Sequence, residues 1–234
     1  MVPLPLTDHI RRRSFWFVTL ALIIANVWAF FFELAQGRDL NRLVFLFGIV
    51  PARYITRYGW ANLTVAGFLV PIFISMFLHG GWLHLLGNML FLFVFGRSVE
   101  DRFGHIKFLC LYLLSGLAGA ILHIVLNAGS RMPSIGASGA IAGVLGAYFV
   151  SFPRARITML IPFFFFWTIE LPAILVLGYW FLIQFVTGYQ MLAIQSATGG
   201  GVAWWAHVGG FMMGLFLAVA FRPARRGPVV EMLP

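Results

Sequence analysis

Apolar residues fall in six long runs along this chain, separated by short polar clusters. The runs cover about 15–35, 82–99, 105–127, 136–152, 171–190 and 203–221. Each is close to the roughly 20 residues that a helix needs to cross a bilayer. The pattern predicts an all-α polytopic membrane protein, a bundle of six transmembrane helices in one domain over 15–221. Asn26 lies inside the first run, and a polar group at that depth is expected to face protein rather than lipid. The fourth run stops before Pro153, which cannot continue a helix.

The connections differ in character. Residues 1–14 are basic and carry Pro3 and Pro5, as expected of a tail. Arg11-Arg12-Arg13 before an apolar run has the outline of a signal peptide, but Phe15 to Phe32 is too long for an h-region and has no clear cleavage signal. It is therefore read as a retained first span. Residues 36–75 form the longest connection. They mix Arg38, Arg42, Arg53 and Arg57 with apolar stretches and carry Pro51, Gly59, Gly67 and Pro71 as breakers. The expectation is an amphipathic loop in the interface, ordered and functional. Residues 153–170 hold Arg154, Arg156, Pro162 and Glu170 and read as a short segment along the surface. Residues 196–203 are small and glycine-rich, and 222–234 form a second basic tail.

Composition agrees with a membrane chain: 61% hydrophobic and 10% charged, against about 25% charged in soluble domains. The net charge of +9 does not point to nucleic acid, because the basic residues sit between the apolar runs and encode topology. Of 16 arginines and lysines, 11 fall in the two tails and the 2–3 and 4–5 connections. Both termini are therefore expected in the cytoplasm, and the compact basic form suits a bacterial inner membrane. The lone Cys110 excludes an internal disulfide and a thiolate metal cluster, and reads as a small core filler.

That topology puts three polar clusters in one layer. Spans 2, 4 and 6 enter from the outside, and His84, Ser138 and His207 lie in their first turns. Ser138 sits in the run Ile135 to Gly143, at the start of a helix whose first N–H groups lack intrahelical partners and favour negative charge. Gly136 and Gly139 leave room for a substrate backbone. Gly139 follows the serine directly, so this is not the Gly-x-Ser-x-Gly elbow of the α/β hydrolases. Gly139-x-x-x-Gly143 is equally a helix-packing face, and the two readings hold together. His207 can be a general base or a buried histidine with a simple hydrogen-bond partner. Gly210-x-x-x-Gly214 one turn later lets span 6 pack on span 4, glycine facing glycine, which would bring His207 Nε2 near Ser138 Oγ. His84 and Asn88 share a helix face at i,i+4, and both can donate to an oxyanion. No carboxylate lies near the outer ends of spans 3 to 6, so a Ser–His dyad is the more economical reading.

His79, His84, His123 and His207 are the conceivable metal ligands. The i,i+5 spacing of His79 and His84 is not the His-Glu-x-x-His pattern, and no acidic residue stands beside them. No metal and no other cofactor is expected. His79 reads as a cap or orienting group for span 2, and His9 and His105 as surface residues.

Taken together, these residues resemble the rhomboid family of intramembrane serine proteases. The pieces are His84-Leu85-Leu86-Gly87-Asn88, Gly96 with Glu100, Gly136-Ala137-Ser138-Gly139, and Ala206-His207-Val208-Gly209-Gly210-Phe211 with Gly214. The resemblance runs from about 15 to 221. It implies a six-helix rhomboid-like bundle with a water-filled cavity open to the outside. By resemblance, Ser138 is the nucleophile of a serine-type endopeptidase and His207 its base. His84 and Asn88 stabilise the oxyanion, and Gly136 lines the active-site loop. The implied partners are the lipid bilayer and single-span membrane protein substrates, entering between spans 2 and 5. Span 5 and the 5–6 loop resemble the family's gate and cap, with Gln190 and Gln195 near that rim. Gly199-Gly200-Gly201 beside span 6 reads equally as a place where the outer rim can move and as a simple flexible loop. Two departures stand out. The first outer loop lacks the Trp-Arg pair of some members, with Arg53-Tyr54 and Arg57-Tyr58 the nearest groupings. Ala142 stands where some members have a tyrosine stacked on the histidine. The competing functions are an inactive relative that binds or escorts membrane proteins, and a small transporter, which would need broken helices and a midplane ion site.

Overall fold

A computed structural model describes residues 4–55, 64–163, 165–194 and 203–221 of the chain. In it the apolar runs are helices. They are α1 (Phe17–Ala35), α5 (Trp82–Phe91), α7 (His105–Leu126), α8 (Ser138–Ser151), α9 (Ala173–Ile194) and α10 (Trp204–Ala220). The second run is longer than its hydropathy shows. α5 continues through a π-helical turn, Leu92–Gly96, into α6 (Arg97–Phe103). Among the described residues, four stretches are long and apolar enough to cross a membrane: Phe17–Ala35, Trp82–Phe103, His105–Leu126 and Ala173–Leu192. The protein is a multi-pass integral membrane protein.

Helix α8 is the axis of the bundle. Every residue from Gly139 to Tyr148 is buried, and its neighbours approach through glycine. A Cβ added to Gly210 would lie 1.9 Å from Gly139 O, one on Gly214 1.8 Å from Gly143 O, and one on Gly146 2.1 Å from Phe211 O. Helix α7 joins the same contact, with a Cβ on Gly119 falling 2.4 Å from Ala206 O. Lipid tails are as apolar as leucine, so helices here associate by close packing rather than by hydrophobic transfer. Small residues are what permit it.

The polar end of the bundle is tied by carboxylates. Glu100, fully buried, accepts from the Val18 and Thr19 N–H groups at 2.8 and 2.7 Å and from Thr19 Oγ1 at 2.6 Å. It thereby satisfies the orphan donors at the start of α1. Asp101 accepts from Ser14 N–H and Oγ, just before α1, at 2.7 and 2.6 Å. Asn26 is fully buried and donates to Leu22 O at 2.7 Å, so it faces protein. Cys110 is exposed on α7 and does not fill the core: it lies on the face that α8 and α10 leave uncovered.

Two connections differ from expectation. Residues 153–170 are not a simple surface segment. β2 (Arg156–Phe163) and β3 (Phe165–Pro172) form an antiparallel hairpin, and β1 (Leu4–Asp8) from the tail adds to β2. Ile157 and Met159 are buried while Arg156 and Thr158 alternate outward, the period of a strand. The membrane-embedded part is thus all helical, with a small sheet appended. The described part of the first outer loop is helical, with α2 (Leu40–Phe47), α3 (Pro51–Ile55) and α4 (Val65–Ser75). Pro71, a breaker by its sequence, lies inside α4, whose first turn is capped by Thr64 Oγ1 accepting from Gly67 N–H at 3.0 Å. Gly59, Arg57-Tyr58, the 196–202 stretch with Gly199-Gly200-Gly201, Gln195 and the 222–234 tail fall outside the described residues.

Candidate active site

Ser138 is the first residue of α8, behind a loop held in place by the first outer connection. Ile49 and Ser134 exchange backbone hydrogen bonds at 2.9 and 2.8 Å, and Ala52 N–H donates to Ser130 O at 2.9 Å. Gly136 N–H donates to Ser75 O at 2.8 Å. Gly136 itself has φ +133°, a conformation that strains any residue with a side chain. A Cβ there would also lie 2.8 Å from His84 Cε1. Ile49, Ala52 and Ser75 of this connection therefore act as a brace for the turn that delivers Ser138.

His207 sits in the first turn of α10 and is buried. Glycine-to-glycine packing of α10 on α8 brings its Nε2 to 2.8 Å from Ser138 Oγ. The other ring nitrogen is also partnered. Nδ1 lies 2.7 Å from Oε1 of Gln184, a buried residue of α9. An amide oxygen only accepts, so Nδ1 carries the ring proton and Nε2 is left to accept from the serine hydroxyl. Trp180 and Trp204 flank the ring, with centroids 5.8 and 6.3 Å away. These three groups take up the task left open by Ala142. Sequence reasoning misses Gln184. The signal is present, since it is an amide midway along an apolar helix, the kind of residue that faces protein. Gln190, singled out instead, lies further along α9 and is exposed.

The remaining residues line a cavity of about 690 Å³ between α4, α5, α7, α8 and α10, with Trp180 as the contribution of α9. His84, Asn88, Gly136, Ser138 and His207 all border it. Gly80 N–H donates to His84 Nδ1 at 3.4 Å, which leaves the proton on Nε2, beside Gly136. Asn88 is buried, and its Nδ2 has no partner among the described residues. His79 holds the turn before α5. Its N–H donates to Glu33 at 2.9 Å, and its ring packs 5.2 Å from His84. His9 and His105 pair with Thr158 and Glu100 at the sheet end of the bundle. Among the described residues, no three histidine, cysteine or acidic side chains converge as a metal-binding group.

This arrangement of one hydroxyl, one imidazole and several donors falls inside a segment with a family match. The family model for the Rhomboid domain matches residues 66–224. The chain belongs to the rhomboid family. It is similar to RHOMBOID-like protein 4 of Arabidopsis thaliana, with 37% identity over 60% of this chain and 31% of the relative. It is similar to Rhomboid protein 1, mitochondrial, of Saccharomyces cerevisiae, with 31% identity over 70% of this chain and 45% of the relative. It is also similar to Presenilin-associated rhomboid-like protein A, mitochondrial, of Danio rerio, with 28% identity over 83% of this chain and 51% of the relative. This rhomboid thus spans about half the length, or less, of these curated relatives. The matched segment contains α5, α8 and α10 whole, the three helices that carry the polar layer.

Proposed function

We propose that this rhomboid is an intramembrane serine endopeptidase that cuts single-span membrane proteins through a Ser138–His207 dyad. The observation that carries the reading is the 2.8 Å approach of His207 Nε2 to Ser138 Oγ. Serine is a weak nucleophile until a neighbouring base takes its proton, and this imidazole is placed to take it. Ser138 Oγ attacks the carbonyl carbon as its proton passes to Nε2. The oxyanion collects hydrogen bonds from His84 Nε2, from Asn88 Nδ2 and from the unpaired N–H groups that begin α8. The C–N bond then breaks, and His207 returns the proton to the leaving amine. A water, deprotonated by the same imidazole, releases the acyl group and restores the serine.

Six spans lie in the membrane: α1, α5 with α6, α7, α8, α9 and α10. At 14 residues, α8 is about 21 Å long, less than the roughly 30 Å hydrocarbon core. It is enclosed by other helices and so meets protein rather than lipid. Both termini are cytoplasmic, and the polar layer faces outward, as the arginine distribution supports. Substrate enters from the lipid between α5 and α9, locally unwound, since a helical carbonyl is already hydrogen-bonded. The test is acylation by a fluorophosphonate in detergent. The parent reacts, Ser138→Ala does not, and His207→Ala reacts about 10²-fold or more slowly. A parent enzyme that neither reacts nor cleaves a transmembrane substrate sinks the reading.

A further inference from the structure

The base in this site is not oriented by a carboxylate, and the residue that takes that place comes from an unexpected helix. Resting on the protease reading, we infer that Gln184 of α9 is the positioning residue for His207, and that it links the readiness of the base to the seating of α9. Gln184 Oε1 lies 2.7 Å from His207 Nδ1, while Nε2 faces Ser138 Oγ at 2.8 Å. A proton held on Nδ1 leaves the Nε2 lone pair for the serine. In the opposite tautomer Nε2 carries hydrogen and cannot accept from the hydroxyl. The amide is buried and faces an imidazole that is also buried, so water does not compete for the bond.

The placement follows from one stripe of α9. Trp180, Gln184 and Gly188 recur at intervals of four and share a helix face. Trp180 lies 5.8 Å from the His207 ring. A Cβ on Gly188 would lie 3.2 Å from Trp204 Cβ and 3.3 Å from the Trp205 ring, both on α10. The stripe therefore rests directly on the helix of the base. Only 17% of the apolar stretch of α9 is buried, against 39% for α7. A helix so lightly held can move away, and the acceptor for Nδ1 moves with it.

Gln184→Met keeps the length and loses the acceptor, whereas Gln184→Glu keeps an acceptor oxygen. In the full chain in detergent, Gln184→Met lowers kcat for a transmembrane substrate by about 10²-fold with KM within about threefold of the parent. Gln184→Glu retains more activity than Gln184→Met. Long-range proton–nitrogen spectra of the ¹⁵N-histidine-labelled protein give a second readout. The parent His207 ring, assigned by comparison with His207→Ala, shows a protonated Nδ1, and Gln184→Met shows tautomers in exchange. An unchanged ring tautomer, a parental kcat in Gln184→Met, or equal losses in the two variants overturns the inference. Fluorophosphonate acylation of the parent separates the failures: a parent inert at Ser138 defeats the protease reading itself.

Discussion

The α8–α10 contact and the α9 wall support the same histidine in opposite ways. At the first, backbone meets backbone. Gly143, Gly146, Gly210 and Gly214 leave no room even for a methyl group, and α8 is buried along Gly139 to Tyr148. At the second, side chains make the contact. Gln184 reaches Nδ1, Phe181 stacks on Phe211 at 4.6 Å, and Leu175, Tyr179, Leu182 and Tyr189 stand exposed on the rest of the helix. Position and orientation are thus set separately. Where the serine and imidazole sit is fixed by helix packing that cannot adjust. Which way the imidazole presents its lone pair depends on a lightly held neighbour.

The contrast is tested most severely on its tight side. In Gly210→Val the new Cβ falls 1.9 Å from Gly139 O, against backbone that cannot rotate away. The helices must separate, and overpacking of this kind typically costs about 1–3 kcal/mol and sometimes more. His207, one turn earlier, then loses its reach to Ser138. We expect a clear drop in unfolding temperature and no measurable cleavage. A variant that unfolds with the parent and still cleaves would show that the contact is not what positions the dyad.

A smaller loss is expected where the chemistry, not the frame, is touched. Asn88→Ala removes the unpartnered amide bordering the cavity while leaving α5 intact. Losing one oxyanion donor costs about 2.7–4 kcal/mol in transition-state stabilisation, or about 10²–10³ in kcat. KM and unfolding temperature should stay close to the parent's. A loss confined to KM would instead make Asn88 a substrate-binding group.

The same contrast explains what could be read in the chain. Ser138, His207, His84 and Asn88 are polar residues at the starts of apolar runs, and helical spacing alone puts Gly210 and Gly214 on the face that meets Gly139 and Gly143. Local period carries that much. Gln184 was not legible as a partner, because its role depends on the rotation of α9 against α10, which no local pattern sets. The sheet was hidden for a related reason. Pro162 and a phenylalanine run obscure the alternation of Ile157 and Met159, and the third strand, Leu4–Asp8, pairs with residues about 150 positions away. Such pairings lie beyond any local window. In the described part of the first long connection, the brace of Ile49 on Ser134 was likewise not legible.

The mildest substitution discriminates most finely between the two supports. Gly188 lies one turn after Gln184 on the face of α9 that touches Trp204 and Trp205, and a methyl group fits there once Trp204 Cβ and the Trp205 indole, 3.2 and 3.3 Å away, give slightly. Gly188→Ala should therefore be close to silent. Gly188→Leu cannot be seated without pushing α9 outward, and α9 is free to yield because so little of it is buried. Stability should fall little, yet Gln184 is carried away from Nδ1. We expect about a tenfold drop in kcat, equivalent to about 1.4 kcal/mol. If that drop passes through Gln184, it disappears once the amide is already gone. The double variant Gln184→Met/Gly188→Leu then turns over at the rate of Gln184→Met alone. Additive losses in the cycle would mean that α9 acts on the site by another route, through the cavity wall at Trp180 rather than through the tautomer of His207.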